Sequence, residues 1–401
     1  MKFPNLPSYP YASVRSPSLS AREQVLLNED LLYLVFSFSH SHLDRWTYRR
    51  QTSPPLPPPK YALLPAALTC KAFFLPAIRV LWFESSILYL LRVIPVLVRR
   101  GKTFILNGVI TEEHMQRVDL YAGCIRRLHS FAFNVKVSSQ VYAIVSRLRY
   151  PSLVPALKQL KFLSIHNMPL ENLNSLFLIK SPTLADIQIG RIDSTTEVVV
   201  ASFLQHVSSH AQTLDLKGRL TSVTFNVLPQ FLRLKMLFLE IQPTTPQVDF
   251  LGMCAQIKTL ELLWLGIHPE FQYTGTSTAA VEFSSLFSLI IAAPVNPMID
   301  ILGIFRSVEL PRLGSIRLNF RPTDLSLDPR LAPCLERCVQ IAQSRASPLA
   351  LMLEGSITAR WNDLIPLREL KKVAGLHILF EALSVTNNDI QHFFGNANGL
   401  C

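Results

Sequence analysis

Most of the chain after residue 105 repeats one short pattern of apolar positions, apolar-x-x-apolar-x-apolar. The last two apolar positions of this frame are two residues apart, so in a strand they point to the same face of a sheet. Each frame therefore predicts a short strand with one buried face. The ten frames are LHSFAF at 128, LKFLSI at 160, LADIQI at 184, AQTLDL at 211, LKMLFL at 234, IKTLEL at 257, LFSLII at 286, LGSIRL at 313, PLALML at 348 and VAGLHI at 373.

Helical patterns fill several of the intervals between these frames, as in TEVVVASFLQHVSS, PMIDILGIF, CLERCVQIAQ and DLIPLREL. A single strand and helix cannot cover their own apolar faces, so neighbouring units must stack and share one core. The sequence predicts an α/β fold over residues 106–401, with a parallel sheet inside and helices outside. An ordinary α/β sheet is the alternative to a curved solenoid, and the two differ in whether every frame lies in one uninterrupted row of strands.

The spacing of the frames resembles that of leucine-rich repeats. Successive frames start 23 to 35 residues apart, and leucine-rich repeats have roughly 20 to 29 residues. The asparagine of the leucine-rich consensus is replaced in the frames compared. Its positions hold Met168, Arg219, Gln242, Leu265 and Arg321. The resemblance implies a divergent leucine-rich-repeat array.

Residues 23–105 have a different pattern, that of short amphipathic helices after a flexible tail over 1–22. Asn28 is placed to cap a helix, and Glu29 and Asp30 add negative charge at its positive end. The apolar stripe of this first helix is Leu31, Leu32, Val35 and Phe36. One apolar face predicts a packing partner.

Proline divides this helical region. Residues 54–59 contain five prolines, so an extended insert is predicted over 45–60. We expect this insert to be a spacer rather than a ligand for an aromatic groove of another protein. In LTCKAFFLPAIRVLW (68–82), two short helices are expected to meet at Pro76, which suits the first turn of the second. A third amphipathic helix is predicted in SSILYLLRVIPVLVRRG. So small a unit cannot bury all of this apolar surface by itself.

The ordered combination of LLNEDLLYLVFSF and ALTCKAFFLPAIRVLW resembles the F-box, in particular its fungal form. The resemblance implies a helical unit that docks on the Skp-type adaptor of a cullin-based ubiquitin ligase. Asn28 stands where the family has proline, and the insert is longer than the family's loop. A helical cap on the following core is the other interpretation of this unit. The residues that match the family's adaptor-binding positions are Leu27, Asn28, Leu31, Leu32, Val35, Phe36, Leu68, Cys70 and Phe73.

A second candidate surface follows from the alternation of side chains along the strands. Residues between the apolar positions should face the concave side of a solenoid, where they are expected to bind a protein target. The mixture of charges there favours a protein over nucleic acid, whose groove should be rich in Lys, Arg and aromatic residues. The expected residues are Ser164, His166, Gln188, Asp215, Lys217, Glu240, Glu261, Arg317, Asn319, Glu354 and His377.

Composition excludes several classes of protein. The chain is 49% hydrophobic and only 17% charged, with a net charge of +11, which indicates a large core rather than disorder. Its six scattered cysteines do not form a disulfide framework, and Cys334 and Cys338 are expected to be buried thiols on one helix face rather than metal ligands. A continuous apolar leader and Asn-x-Ser/Thr sequons are absent from the sequence, so an intracellular protein is expected.

Catalytic signatures are also missing from the sequence. It contains no Gly-rich phosphate loop, no Gly-x-Ser-x-Gly motif and no His-Glu-x-x-His pair. The apolar run at 283–305 is interrupted by Pro294, Pro297 and Asp300, which argues against a membrane span. We therefore expect a non-enzymatic ligase adaptor without cofactor or metal, bound to a Skp-type subunit, its cullin complex and an unknown protein target. A repeat scaffold that has lost adaptor docking is the alternative, and a nucleic-acid-binding protein is a third.

Overall fold

The fold divides into two compact units, Met1–Glu84 and Ser85–Cys401. The expected boundary lay later, after residue 105. The structure is a computed structural model that describes residues 20, 24, 28–47, 60–129, 135–162, 165, 168–242, 249–270, 282–305, 309–321, 330–344, 347–370 and 373–384. Apart from Ser20, the expected tail over 1–22 lies outside these residues.

Three helices form the described part of the first unit: α1 (Glu29–Thr47), α2 (Lys60–Thr69) and α3 (Lys71–Trp82). The predicted cap of α1 is confirmed, because Asn28 Oδ1 accepts hydrogen bonds from the backbone N–H groups of Asp30 and Leu31 at 3.0 and 3.1 Å. Helices α1 and α2 both pack against α3. The expected insert over 45–60 is shorter at both ends, since α1 continues to Thr47 and α2 begins at Lys60; the residues between are not among those described.

The prediction that two helices meet at Pro76 is wrong. Helix α3 continues through Pro76, and the chain breaks earlier, at Cys70, whose backbone is extended with φ −151° and ψ 160°. A proline inside a helix removes one hydrogen bond and costs about 3 kcal/mol. Here Pro76 and the following Ala77 and Ile78 are all buried, so tertiary packing outweighs the local preference.

The predicted third helix is also largely wrong, and this explains the earlier boundary. After a two-residue strand, β1 (Glu84–Ser85), only Ile87–Leu91 is helical (α4), and its N-cap is Ser86. The chain then forms an antiparallel hairpin of β2 (Leu97–Arg100) and β3 (Thr103–Leu106). Pro95 lies between the short helix and the hairpin, where it opposes continuation of the helix.

The second unit is an α/β structure with a large parallel sheet, as predicted. Its further strands are β4 (Arg127–His129), β5 (Lys136–Val137), β6 (Gln159–Phe162), β7 (Asp186–Ile192), β8 (Thr213–Gly218), β9 (Met236–Ile241), β10 (Leu262–Ile267), β11 (Ser288–Ala293), β12 (Ser315–Phe320), β13 (Leu349–Arg360) and β14 (Val373–Ser384). Its further helices are α5 (Glu112–Ala122), α6 (Ser139–Leu148), α7 (Leu170–Leu173), α8 (Glu197–Val207), α9 (Ser222–Phe225), α10 (Phe250–Ala255), α11 (Val295–Phe305) and α12 (Leu331–Gln343). Three 3-10 helices span Asn174–Leu178, Leu228–Gln230 and Trp361–Glu369.

Eleven strands form the main sheet, in the order β1-β4-β6-β7-β8-β9-β10-β11-β12-β13-β14. From β4 onward every pairing is parallel. These strands therefore join the sheet in chain order. Parallel crossovers are almost always right-handed, so successive crossovers in one direction are expected to place the connecting helices on one face. Strands β2, β3 and β5 form a separate three-stranded sheet.

Apolar ladders across the strands form the core. Leu214, Leu237 and Leu263 are in register on β8, β9 and β10, and all are fully buried. The next inward positions repeat this arrangement with Leu216, Leu239 and Leu265. Alternate residues on these strands are only half-buried, so one face of the sheet is covered and the other, which we call the open face, is not.

Three of the ten frames are displaced from the true repeat by three residues. The register pairs Leu237 with Leu263, so the frame of β10 starts at Leu260 rather than at Ile257. The frames at 128 and 160 are displaced in the same way. Leu160 pairs with Ile187, which is the second apolar position of its own frame, and Leu128 pairs with Leu160. Leu128 and Leu160 are therefore second apolar positions, not first ones. The errors arose because two overlapping apolar patterns fit each segment, and only pairing with the neighbouring strand selects one.

The helical intervals agree with the expected positions in three cases. TEVVVASFLQHVSS contains α8, PMIDILGIF contains most of α11, and CLERCVQIAQ lies within α12. DLIPLREL instead lies in a 3-10 helix that contains Pro366. Cys334 and Cys338 are both fully buried on α12, as expected. Among the described residues, no helix is both long and apolar enough to cross a membrane.

Candidate protein-interaction surfaces

Helix α1 carries an exposed apolar stripe. Leu31, Leu34, Val35 and Phe38 follow one another at helical spacing, and between 41% and 66% of each residue is exposed. Positions three and four apart lie on the same face of a helix. The four side chains therefore form a continuous apolar strip on the outside of the first unit, which we call the α1 stripe.

The opposite face of α1 packs inside the unit. Leu32 is only 6% exposed, and the ring of Phe36 meets that of Phe73 on α3 edge to face, with 5.7 Å between ring centroids. An ion pair between Glu29 and Arg79, at 3.4 Å, also joins α1 to α3. The predicted adaptor-binding residues Leu32, Phe36 and Phe73 thus contribute to packing, and the single stripe expected from sequence is two stripes on different faces.

A second exposed apolar pair lies on α2. Leu64 and Leu68 are one helical turn apart, and both are about half or more exposed. Cys70, between α2 and α3, is exposed as well. Of the predicted adaptor-binding residues, Leu31, Val35, Leu68 and Cys70 are therefore accessible, Asn28 caps the helix, and Leu27 lies outside the described residues.

The open face of the sheet brings four of the predicted target-binding residues together. Gln188 donates a hydrogen bond from Nε2 to Asp215 Oδ2 at 2.6 Å. Lys217 Nζ lies 3.5 Å from a carboxylate oxygen of Glu240 and 4.0 Å from Asp215 Oδ2. These residues form a polar chain across β7, β8 and β9, in which opposite charges alternate.

An aromatic centre lies beside this chain and was missed from sequence. The rings of Phe238 and Trp264 are 6.5 Å apart between centroids, and Lys217 Nζ and Arg321 Cζ lie 6.0 and 5.9 Å from the centroid of Trp264. Gly266 makes this arrangement possible, because an added Cβ there would overlap the Trp264 ring. A cation over the face of an indole is a favourable arrangement, and here Lys217 and Arg321 each approach the Trp264 ring.

Two causes explain the omission of this aromatic centre. The frame at β10 was displaced, and only polar residues were selected from the row, which left out Phe238 although its frame was correctly phased. The register places Trp264 opposite Phe238 and in the same row as Asp215 and Arg317. Correct phasing of the β10 frame would have placed Trp264, rather than Glu261, in this row. Glu261 instead precedes β10, where it forms an ion pair with Lys235 at 2.9 Å.

The remaining predicted target-binding residues lie apart from this centre. Arg317 on β12 makes a two-pronged ion pair with Glu354 on β13, at 2.8 and 2.7 Å, and Asn319 donates to the same carboxylate at 3.0 Å. His377 is exposed on β14, opposite Met352. His166 and Ser164 lie outside the described residues. The predicted row is thus divided into two clusters and an isolated histidine.

Burial raises the pKa of two ionisable groups, Asp215 on the open face and Cys338 in the core. Loss of hydration raises the pKa of the Asp215 carboxyl, while Lys217 and the Gln188 hydrogen bond oppose the rise. Asp215 Oδ1 is buried and accepts no hydrogen bond from the described residues. Burial raises the pKa of the Cys338 thiol to about 12, so this thiol is protonated and unreactive at neutral pH.

In the part of the chain that the structure describes, no three His, Cys, Asp or Glu side chains are grouped as metal ligands. The α1 stripe is apolar, whereas the open face combines an aromatic centre with paired charges. Aromatic residues are enriched in protein interfaces, and the fully buried centre of an interface is more apolar than its rim. Comparison with known proteins assigns no family: the chain matches no protein-family model, and no curated protein is similar to it in sequence.

Proposed function

We propose that this protein is a substrate-recognition adaptor of a cullin-type ubiquitin ligase, in which the first unit binds a Skp-type subunit. The observation that carries this proposal is the α1 stripe. Burying a leucine or valine side chain completely stabilises a complex by about 1.5–3 kcal/mol. A stripe of four such side chains on a small unit is therefore a strong candidate for a hydrophobic interface, in agreement with the F-box resemblance of this segment.

For the second unit we propose a divergent leucine-rich-repeat-like array that binds the target protein. Two features support this. The strands of the main sheet follow one another in chain order, and inward leucines form ladders from strand to strand, as stacked repeats require. The aromatic centre at Phe238 and Trp264, surrounded by charged residues, has the composition of an interface hot spot.

The chemistry of ubiquitin transfer would belong to other subunits of the complex. The adaptor contributes by holding a target near the ligase, which raises the effective concentration of the target's lysines at the reacting site. Adaptor docking through one unit and target capture through the other are sufficient for this role.

The test is co-purification of the full chain with a Skp-type adaptor. Leu31→Asp with Val35→Asp should abolish binding, because two carboxylates would enter a desolvated interface. The matched control is Val109→Asp with Val198→Asp, two exposed valines of the second unit, which should leave binding unchanged. Adaptor binding that survives the α1 substitutions in a folded protein would contradict docking through the α1 stripe. No adaptor binding by the folded, unsubstituted chain would favour a repeat scaffold without ligase function.

A further inference from the structure

Three basic residues lie where strands β7 and β8 end. A bulge in β7 ends at Ile192, which pairs with Gly218 of β8, so Arg191 and Lys217 directly precede this pair and Arg219 follows it. The backbone N–H of Arg219 donates to the carbonyl of Ile192 at 2.8 Å, which fixes the two strand ends side by side. Arg191 and Arg219 are exposed, and Lys217 is half-buried. We call Arg191, Lys217 and Arg219 the cationic edge.

Asp215 and Glu240 already pair with Lys217, and two carboxylates close to Arg191 in sequence are held by other groups. Asp193 accepts hydrogen bonds from Thr195 and Thr196, and Glu197 accepts from Thr221 and Thr224. Among the described residues, neither Arg191 nor Arg219 has an ion-pair partner within 4.0 Å. The two guanidinium groups are therefore available to carboxylates of another molecule.

The backbone of Arg191 is unusual for a side chain of this size. Its φ is +57°, in the left-handed region, which costs about 1–2 kcal/mol for a residue other than glycine. Bulges change the direction of side chains and are common beside binding sites. The bulge keeps Ile192 in the core, where it is 1% exposed, while the residue before it is turned to the solvent.

We propose that the cationic edge is the part of the target-binding face that selects the target, by binding an acidic segment of it. This inference rests on the proposed target capture by the second unit. Neighbouring strands are about 4.8 Å apart, so three strand spacings, about 14 Å, separate β7 from the Trp264 strand. An extended chain covers that distance in about four residues. The preferred segment therefore carries Asp or Glu about four positions from an apolar side chain that packs on Trp264 and Phe238.

Charge on the rest of the open face favours a protein segment over nucleic acid. Asp215, Glu240 and Glu354 lie on the same face as Lys217, and a continuous phosphate backbone across the strands would meet all three. A protein segment can place its acidic side chains at one end only. It thereby avoids this repulsion.

The experiment is selection from a library of random linear peptides displayed on phage, with the full chain as bait. Enriched peptides should contain Asp or Glu about four positions from an aromatic or branched apolar residue. Arg191→Asp with Arg219→Glu should weaken their binding at least tenfold, which corresponds to about 1.4 kcal/mol. Aspartate tolerates the left-handed conformation at position 191, so the fold should be retained.

The matched control is Arg233→Glu with Arg312→Glu, which changes net charge equally at two exposed arginines elsewhere. Selection without acidic enrichment, or binding unaffected by the substitutions at the cationic edge, would overturn the inference. So would a single-stranded DNA oligonucleotide that binds more tightly than the peptides through the same two arginines. Co-purification with a Skp-type adaptor, measured on the same variants, separates the two proposals, because adaptor docking uses the α1 stripe and should be unchanged.

Discussion

Glu197 should be one of the most important polar residues for the stability of the second unit. Its carboxylate is only 3% exposed and accepts three hydrogen bonds from the turn after β8. Oε1 receives the backbone N–H of Thr221 at 2.6 Å and the hydroxyl of Thr224 at 2.7 Å, and Oε2 receives the hydroxyl of Thr221 at 2.9 Å. The interaction joins the first turn of α8 to the first turn of α9 in the following repeat.

The cost of removing this carboxylate can be worked from its partners. Glu197→Ala leaves the backbone N–H of Thr221 and the fully buried hydroxyl of Thr224 without acceptors. Each unsatisfied buried group costs about 1–3 kcal/mol, and removal of a desolvated charge offsets part of the total. We expect the free energy of unfolding to fall by about 3 kcal/mol. Glu197→Gln keeps the Oε1 acceptor, so it should cost less than about 1 kcal/mol.

The assay is urea unfolding at pH 7, followed by circular dichroism and extrapolated linearly to water. Glu113→Ala is the control, because this glutamate on α5 is 75% exposed in its side chain and surface substitutions usually change stability by less than about 0.5 kcal/mol. If Glu197→Ala were as stable as the control, the reasoning about unsatisfied donors would be refuted.

Three further predictions concern the two candidate surfaces. Leu32→Ala should lower the free energy of unfolding of the first unit by about 2–5 kcal/mol, whereas Leu34→Ala should leave it unchanged; thermal unfolding of both variants tests the division of α1 into two faces. Because burial raises the pKa of Asp215 in the folded state, its contribution to stability is most favourable below the unfolded pKa and is lost as pH rises through the folded pKa. Asp215→Asn should therefore stabilise the protein at pH 7 but not in acid, and equal effects at both pH values would contradict this. Gly266→Ala should displace the Trp264 ring and change the near-ultraviolet circular dichroism while the far-ultraviolet spectrum is retained; an unchanged near-ultraviolet signal would refute the contact.

Local pattern was enough to predict the class of the second unit. The period-two spacing within each frame predicted strands, and the stacked arrangement followed from apolar faces that no single repeat can cover. The phase of a frame was less certain where leucines are dense. Around β10, both IKTLEL and LELLWL fit the pattern, and only the pairing of Leu237 with Leu263 selects the second. That ambiguity kept Trp264 out of the expected row, whereas Phe238 was omitted from a correctly phased frame because only polar residues were selected.

Tertiary packing explains the other differences between expectation and structure. Pro76 signals a helix boundary locally, yet burial of α3 carries the helix through it. Between Leu31 and Phe38 nearly all side chains of α1 are apolar or aromatic. The hydrophobic pattern alone therefore could not separate Leu32 and Phe36, which pack inside the unit, from Leu31 and Val35. The cationic edge could not be predicted from the sequence either, because it depends on the bulge before Ile192, which places Arg191 beside Lys217.

The most direct test of the central claim is hydroxyl-radical footprinting of the full chain, alone and with a Skp-type adaptor. If the α1 stripe is the docking surface, labelling of Leu34, Phe38 and Leu68 should fall in the complex, while labelling of Trp264 and Met236 on the open face should stay the same. Undiminished labelling of the α1 stripe in the presence of the adaptor, or protection confined to the open face, would contradict the assignment of this protein as a ligase adaptor.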